Sequence, residues 1–193
     1  MRAFIGIDLE NELKTEILSL QRILRNHAGR GRWKHSDNFH LTLKFLDEIS
    51  LEQKRQIDGA MKKLCAAVRP FTLSLSGLGI FPGRDAVRVL WLGLTGDVEE
   101  LQALYEGINN QLMPLGFPTE KRGYSPHITL GQDIVFKAGF DEVKHRMGEV
   151  RFEAFKVKHL YLFKSEQVQN KRIYSKISEY VLEWQNEGYQ RRS

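Results

Sequence analysis

Two tetrapeptides hold the side chains of this sequence best suited to moving protons: His40-Leu41-Thr42-Leu43 and His127-Ile128-Thr129-Leu130. In an extended strand alternate residues share a face. Each histidine therefore stands beside its threonine, about 7 Å along the backbone, with aliphatic neighbours turned the other way. Imidazole has a reference pKa of about 6.5 and can act as base or acid near neutrality. Two imidazoles across one phosphorus can take a proton from an attacking oxygen and return one to a leaving oxygen. The threonine hydroxyls can hold the non-bridging oxygens where charge gathers. By the same parity Lys44 joins His40 and Thr42, whereas Phe39, Leu41, Leu43 and Phe45 point into a core. Zinc usually takes three or four His, Cys or carboxylate ligands. Neither motif supplies a carboxylate and the chain has one cysteine, Cys65, so the expected chemistry uses no metal and no cofactor.

The elements that must position these motifs repeat once along the chain. Residues 3–9 read as a buried strand, and Leu13, Ile17, Leu20 and Leu24 recur at helical spacing. A strand follows at 38–46. Ser50 and Gln53 form a capping box for a helix with an apolar face of Ile57, Met61, Leu64 and Val68, and 71–81 alternates as a strand before the Pro82-Gly83 turn. The order then recurs: a strand at 89–94, a helix capped by Asp97 and Glu100, a strand at 127–131, a short helix marked by Phe140, Val143 and Met147, and one long strand over 152–163. Phe4 to Val89 is 85 residues, His40 to His127 is 87 and Phe71 to Phe155 is 84. That near-constant offset predicts two β-α-β-α-β units, about 1–84 and 85–193, each too small to hold an extensive core alone. They should pack as two lobes of one unit over residues 1–193, with a cleft between them. The tail 172–184 is ambiguous and is read as a strand.

Composition narrows the class further. With 193 residues, 41% hydrophobic and 27% charged, the chain reads as globular, and no apolar run approaches the roughly 18–20 residues that cross a bilayer. The opening MRAFIGIDLENELK brings in acids too early for a signal peptide. A reducing cytosol is the expected compartment. The formal charge of +5 favours anionic partners mildly. Its distribution says more, because no acid falls between Glu16 and Asp37 while Arg22, Arg25, Arg30, Arg32 and Lys34 do. This stretch reads as a helix end running into a Gly-rich loop that could wall a polyanion groove. GRGR at 29–32 lacks the ending of a nucleotide-binding loop.

The motifs and their flanks, RAFIGIDL at 2–9, RWKHSDNFHLTLKFLDEI at 32–49, GLGIFP at 77–82, RVLWLGL at 88–94 and YSPHITLG at 124–131, resemble the two-histidine (2H) phosphoesterases. Within them the likeness is to the bacterial RNA 2′,3′-cyclic phosphodiesterases, also called 2′-5′ RNA ligases. The resemblance implies an α+β fold, bilobal with a pseudo-twofold internal duplication, its antiparallel sheets facing a central groove with helices outside. It implies His40, Thr42, His127 and Thr129 as the catalytic set, His127 as base and His40 as acid, with no metal. The implied reaction is hydrolysis of a terminal 2′,3′-cyclic phosphate of RNA to a 2′-phosphomonoester, with reversible 2′-5′ joining as an associated activity. Family members often carry arginine five residues past the second histidine, where this chain has Gln132.

Further substrate contacts are expected from Lys44 and Gln132, from Arg122 toward phosphate, and from Tyr124 and Trp33 toward a base by stacking. Cys65 reads as a small buried residue. The expected partner is RNA with 2′,3′-cyclic phosphate ends, met by a monomer away from membranes. The rivals are a cyclic phosphodiesterase acting on a small nucleotide and an RNA-binding module without turnover.

Overall fold

The computed structural model of the chain describes residues 1–120 and 123–183. Among them the strands are β1 (Arg2–Asp8), β2 (Ala28–Trp33), β3 (His40–Glu48), β4 (Phe71–Pro82), β5 (Val87–Gly96), β6 (Ile128–Phe136), β7 (Phe155–Val157), β8 (His159–Val168) and β9 (Lys171–Val181). The helices are α1 (Asn11–Asn26), α2 (Leu51–Cys65), α3 (Val98–Leu112) and α4 (Phe140–Met147). No helix among the described residues is long and apolar enough to cross a membrane.

Amphipathic periodicity drives the helices onto one face of the sheet. Leu13, Ile17, Leu20 and Leu24 of α1, Ile57 and Met61 of α2, and Leu101, Leu104, Ile108 and Leu112 of α3 all enter a common core with Ile5, Leu41, Leu92 and Ile128. Each such side chain contributes roughly 1.5–3 kcal/mol relative to exposure. The Ser50 hydroxyl accepts from the Gln53 N–H at 3.1 Å and the Gln53 side chain accepts from the Ser50 N–H at 2.9 Å, closing the expected capping box on α2. Asp97 behaves differently from its sequence reading. Its carboxylate accepts from the Thr72 N–H at 2.8 Å and ties α3 to β4 instead of capping the helix.

All strand pairs are antiparallel, in the order β7-β4-β5-β6-β3-β1-β8-β9, with β2 on β6. The two halves of the sequence interlock. β4 leaves the first half to pair with β5, and β8 leaves the second half to pair with β1. This exchange explains why the expected strand over 152–163 is broken. β7 pairs with β4 in one lobe, and β8 begins again on β1 in the other. The basic segment expected as a loop forms β2, which pairs with the far end of β6 from Ala28↔Phe136 to Trp33↔Gly131. The tail is a strand, as read, over β9.

The lobes meet where β3 and β6 share one backbone pair, Leu41↔Ile128. Just past it, each strand carries a β-bulge. Ile5 pairs with Lys44 and Gly6 with Thr42, leaving Leu43 as an extra residue. In the second half Leu90 pairs with Gly131 and Trp91 with Thr129, leaving Leu130 extra. A bulge reverses the in–out alternation beyond it. Leu43 and Lys44 are consequently both buried, as are Leu130 and Gly131.

Lys44 therefore points away from His40 and Thr42, contrary to simple parity. The residue is 2% exposed and its ammonium donates to Asn109 Oδ1 at 2.7 Å and to the carbonyl oxygen of Pro118. Burial lowers its pKa, opposed by the charge of Glu120. This latch ties β3 to α3 and to the segment leading toward the second motif. Lys44→Met keeps the volume but leaves the buried Asn109 Oδ1 and the part-buried Pro118 carbonyl without their donor, and should cost about 2–4 kcal/mol. The measurement is urea denaturation, where the midpoint should fall at unchanged slope. An unshifted midpoint would remove the latch from the account of stability.

Candidate active site

The Leu41↔Ile128 pair fixes where the two motifs stand. Each histidine lies one residue before it on its own strand and each threonine one residue after. With both aliphatic side chains fully buried, the four polar ones take the opposite face. Strand rise and spacing separate the two histidine backbones diagonally by about 8 Å. His127 immediately precedes β6, one position ahead of the strand's first residue.

The two imidazoles are held alike. His40 Nδ1 is 2.9 Å from the Asn38 carbonyl oxygen, and His127 Nδ1 is 2.7 Å from that of Ser125, each acceptor two residues upstream. A carbonyl can only accept, so Nδ1 carries the proton and Nε2 bears the lone pair of the neutral ring. His40 Nε2 lies 3.1 Å from the Thr42 hydroxyl, which donates to it in this tautomer.

Aromatic rings set the electrostatics. Phe4, Tyr174 and Phe163 surround His40 with centroids at 4.7, 4.9 and 5.8 Å. Burial there drives the His40 pKa down to about 4, against the upward pull of the Asn38 carbonyl and with the help of the Lys34 charge. His127 meets the edge of Phe81 at 5.0 Å and Trp91 at 6.3 Å. Burial lowers its pKa too, opposed by the Ser125 carbonyl. The walls are built by paired glycines and aromatics. A Cβ on Gly6 would stand 2.7 Å from the Leu41 oxygen and 3.5 Å from the Phe163 ring, and one on Gly79 would collide with the Trp91 indole.

Beside His40 a cleft of about 890 Å³ opens. One wall carries Arg25, Arg32, Trp33, Lys34 and Gln132. The other comes from the β8–β9 hairpin, with Lys171, Arg172 and Tyr174. The hairpin is pinned to the site by Asn38, whose Nδ2 donates to the Arg172 carbonyl at 2.9 Å while its own carbonyl holds His40. The basic stretch thus contributes a groove wall through Arg25, Arg32 and Lys34, with Arg25 lying 5.4 Å over the Trp33 ring.

The structure brings His40, Thr42, His127 and Thr129 to one face and sets Trp33 and Gln132 in the adjoining cleft. Lys44 does not join them, for the reason given above. Tyr124 is committed elsewhere, its ring stacked 4.0 Å from Tyr105 and its hydroxyl donating to the Thr42 carbonyl at 3.3 Å. That packing takes one face of the ring and braces the two motifs against each other. Phe45, read as core, is turned out by the bulge and is 58% exposed. Arg122 lies outside the described residues.

Sequence reasoning missed the hairpin wall, whose pairing partner lies far away in the chain. It also missed Gln21, a fully buried polar residue of α1. Gln21 Nε2 donates to the carbonyls of Lys34 and Leu130, at 2.8 and 2.9 Å, and fixes the second motif's strand from below. Its place within the apolar stripe of α1 was the available signal. Among the described residues no three His, Cys, Asp or Glu side chains gather as a metal site would require.

A family model described as LigT like phosphoesterase matches the chain twice, over residues 7–91 and 92–174. The RNA 2′,3′-cyclic phosphodiesterase of Methanocaldococcus jannaschii is 31% identical over 183 residues, spanning 93% of this chain and 100% of that protein. The crystal structure of E. coli LigT in apo form superposes with a TM-score of 0.79 at 26% identity, covering 94% of this chain and 97% of that one. The same protein complexed with 3′-AMP gives 0.78 at 27% identity, with the same coverage.

The His40 environment yields a direct test. In an NMR titration its ring should stay neutral with the proton on Nδ1 down to about pH 4, and inorganic phosphate should raise that midpoint by favouring the charged ring. A midpoint near the ordinary 6.5 would contradict the aromatic enclosure.

Proposed function

Because the chain belongs to the LigT-like phosphoesterase family, we infer that it is an RNA 2′,3′-cyclic phosphodiesterase, opening the cyclic phosphate at an RNA end to a 2′-phosphomonoester. The observation that carries the reading is the mirrored pair of imidazoles, each with Nδ1 held by an upstream carbonyl, so that Nε2 is the other nitrogen of each ring, that of His40 beside the Thr42 hydroxyl. In-line displacement at phosphorus needs a base on the entering side and an acid on the leaving side. A pseudo-twofold pair offers one from each half.

His127 accepts a proton from water as the water oxygen attacks phosphorus. The bond from phosphorus to the 3′ oxygen breaks, and His40 gives that oxygen its proton. Thr42 and Thr129 donate to the non-bridging oxygens as negative charge builds on them. His40 suits the acid's part because its enclosure makes the charged ring a strong acid, while the anionic substrate raises the fraction charged. With a 5′ hydroxyl in place of water as the nucleophile, the same forward steps join two RNA ends through a 2′-5′ link, and run backwards they cleave that link. Trp33, Gln132 and the basic walls of the cleft hold the nucleotides next to the phosphate. We take residues 1–193 to be one bilobal unit with repeats of about 1–84 and 85–193, acting as a cytoplasmic monomer away from membranes. The exchange of β4 and β8 between halves supports the single unit.

The deciding experiment incubates the protein with RNA ending in a 2′,3′-cyclic phosphate and identifies the product; a 3′-phosphate or unchanged RNA would defeat the reading. His40→Ala and His127→Ala should each lower kcat on the order of 10²–10⁴-fold, and the double variant far less than the product of the two. Excess EDTA should leave the rate unchanged, and a rate restored by Zn²⁺ after chelation would point to another mechanism.

The pH profile follows from the burial of both rings. The acid must be charged, so kcat/KM falls as pH rises through that histidine's free-enzyme pKa, which burial holds below its ordinary value. The maximum of kcat/KM should accordingly lie on the acid side of neutrality, reached from the other limb as the base loses its proton. A maximum on the alkaline side would sink the assignment of two buried imidazoles.

A further inference from the structure

Arg32 of β2 stands between two hollows. One is the cleft beside His40. The other, about 680 Å³, lies where Arg30, Arg84 and Arg88 converge with it, with Asp85 and Asp133 on the rim. Arg32 already pairs with Asp133. Arg30, Arg84 and Arg88 are exposed and take part in no ion pair among the described residues. Three guanidinium groups thus gather around one remaining acid, Asp85. Their mutual repulsion is relieved by an anion from outside.

The two hollows differ in chemistry. The cleft offers aromatic faces, Trp33 and Tyr174, on which bases can stack. The second is lined by arginines, aspartates, glycines and Ala86, with no ring at all. It can hold phosphates but has nothing with which to read a base. Arg30 and Arg32 are alternate residues of one strand, about 7 Å apart along it, a step suited to successive phosphates of an extended chain.

This inference rests on the cyclic phosphodiesterase reading. A 2′,3′-cyclic phosphate is the 3′ terminus of its RNA, so the rest of the strand leaves the site in one direction, toward its 5′ end. We propose that this upstream strand crosses β2 at Arg32 and docks its phosphates on Arg30, Arg84 and Arg88, a second station that binds RNA without regard to sequence. The protein then distinguishes an RNA end from a free cyclic nucleotide by chain length, with the chemistry at phosphorus the same for both.

The test compares Arg84→Ser/Arg88→Ser with the parent on a ten-nucleotide RNA ending in a 2′,3′-cyclic phosphate and on cytidine 2′,3′-cyclic phosphate. For the oligonucleotide KM should rise about 10-fold with kcat unchanged, and the slope of log KM against log salt should shrink by about 1.4, from two lost phosphate contacts on a single strand. The mononucleotide constants should not move. An unchanged oligonucleotide KM and salt slope, or an equal loss on both substrates, would overturn the station. If the parent hydrolyses neither substrate, the cyclic phosphodiesterase reading fails by itself. Fluorescence anisotropy with the same RNA ending in a 3′-hydroxyl then tests the station alone: weaker binding by the variant sustains it, and equal binding removes it.

Discussion

One backbone pair, Leu41 against Ile128, sets the geometry on which the other features depend. It is the point at which strands of the two lobes share hydrogen bonds before they part, and both motifs are written directly across it. Because its two side chains are fully buried, the neighbours on either side must face the groove. The spacing of the histidines is thereby set by the backbone of a sheet, and the carbonyls of Asn38 and Ser125 just upstream orient the rings. Gln21 from α1 and Lys44 from β3 support the arrangement from the core side, one holding the Leu130 carbonyl and the other the segment at Pro118. Both are polar groups buried among apolar ones, and each is fully engaged there, as the cost of an unpaired buried group demands.

The same backbone logic separates what could be read in the sequence from what could not. His40-x-Thr42 and His127-x-Thr129 were legible because their chemistry resides in local spacing, and the halves because the spacing recurs. Lys44 and Phe45 were misassigned because the alternation was carried past Thr42. The bulge at Leu43 is a property of register against β1 and leaves no local mark in the sequence. β2 was hidden for another reason: Ala-Gly-Arg-Gly-Arg-Trp shows no apolar alternation, and pairing with β6 makes it a strand. The hairpin wall at Lys171, Arg172 and Tyr174 depends on β8 pairing with β1, more than 150 residues earlier in the chain, and that topology cannot be derived from periodicity.

Burial lowers the pKa of both imidazoles and so disfavours the charged rings, yet the proposed mechanism needs one of them charged. The site resolves this through its ligand. In the proposed mechanism a phosphodiester brings the negative charge that the aromatic walls withhold; Lys34 and Arg172 line the cleft it enters, and the Lys34 charge disfavours His40's own protonation. Under that proposal solvent alone leaves the acid discharged, and the substrate's arrival charges it.

The interlocked sheet carries a consequence for how such a molecule can be built. If a single repeat existed as a separate chain, its last strand would have no home in its own lobe, and two copies would complete each other only by trading strands about a twofold axis. The tandem chain is that pair with one covalent bridge, the short turn between β4 and β5. Joining the partners replaces a bimolecular encounter with an effective concentration in the millimolar range, so that assembly no longer depends on how much protein is present. It also frees the two copies from identity. Gly6 in one position and Trp91 in the other, or Lys44 and Gly131, occupy matching places beside the two bulges, a divergence that no symmetric pair of identical chains could hold.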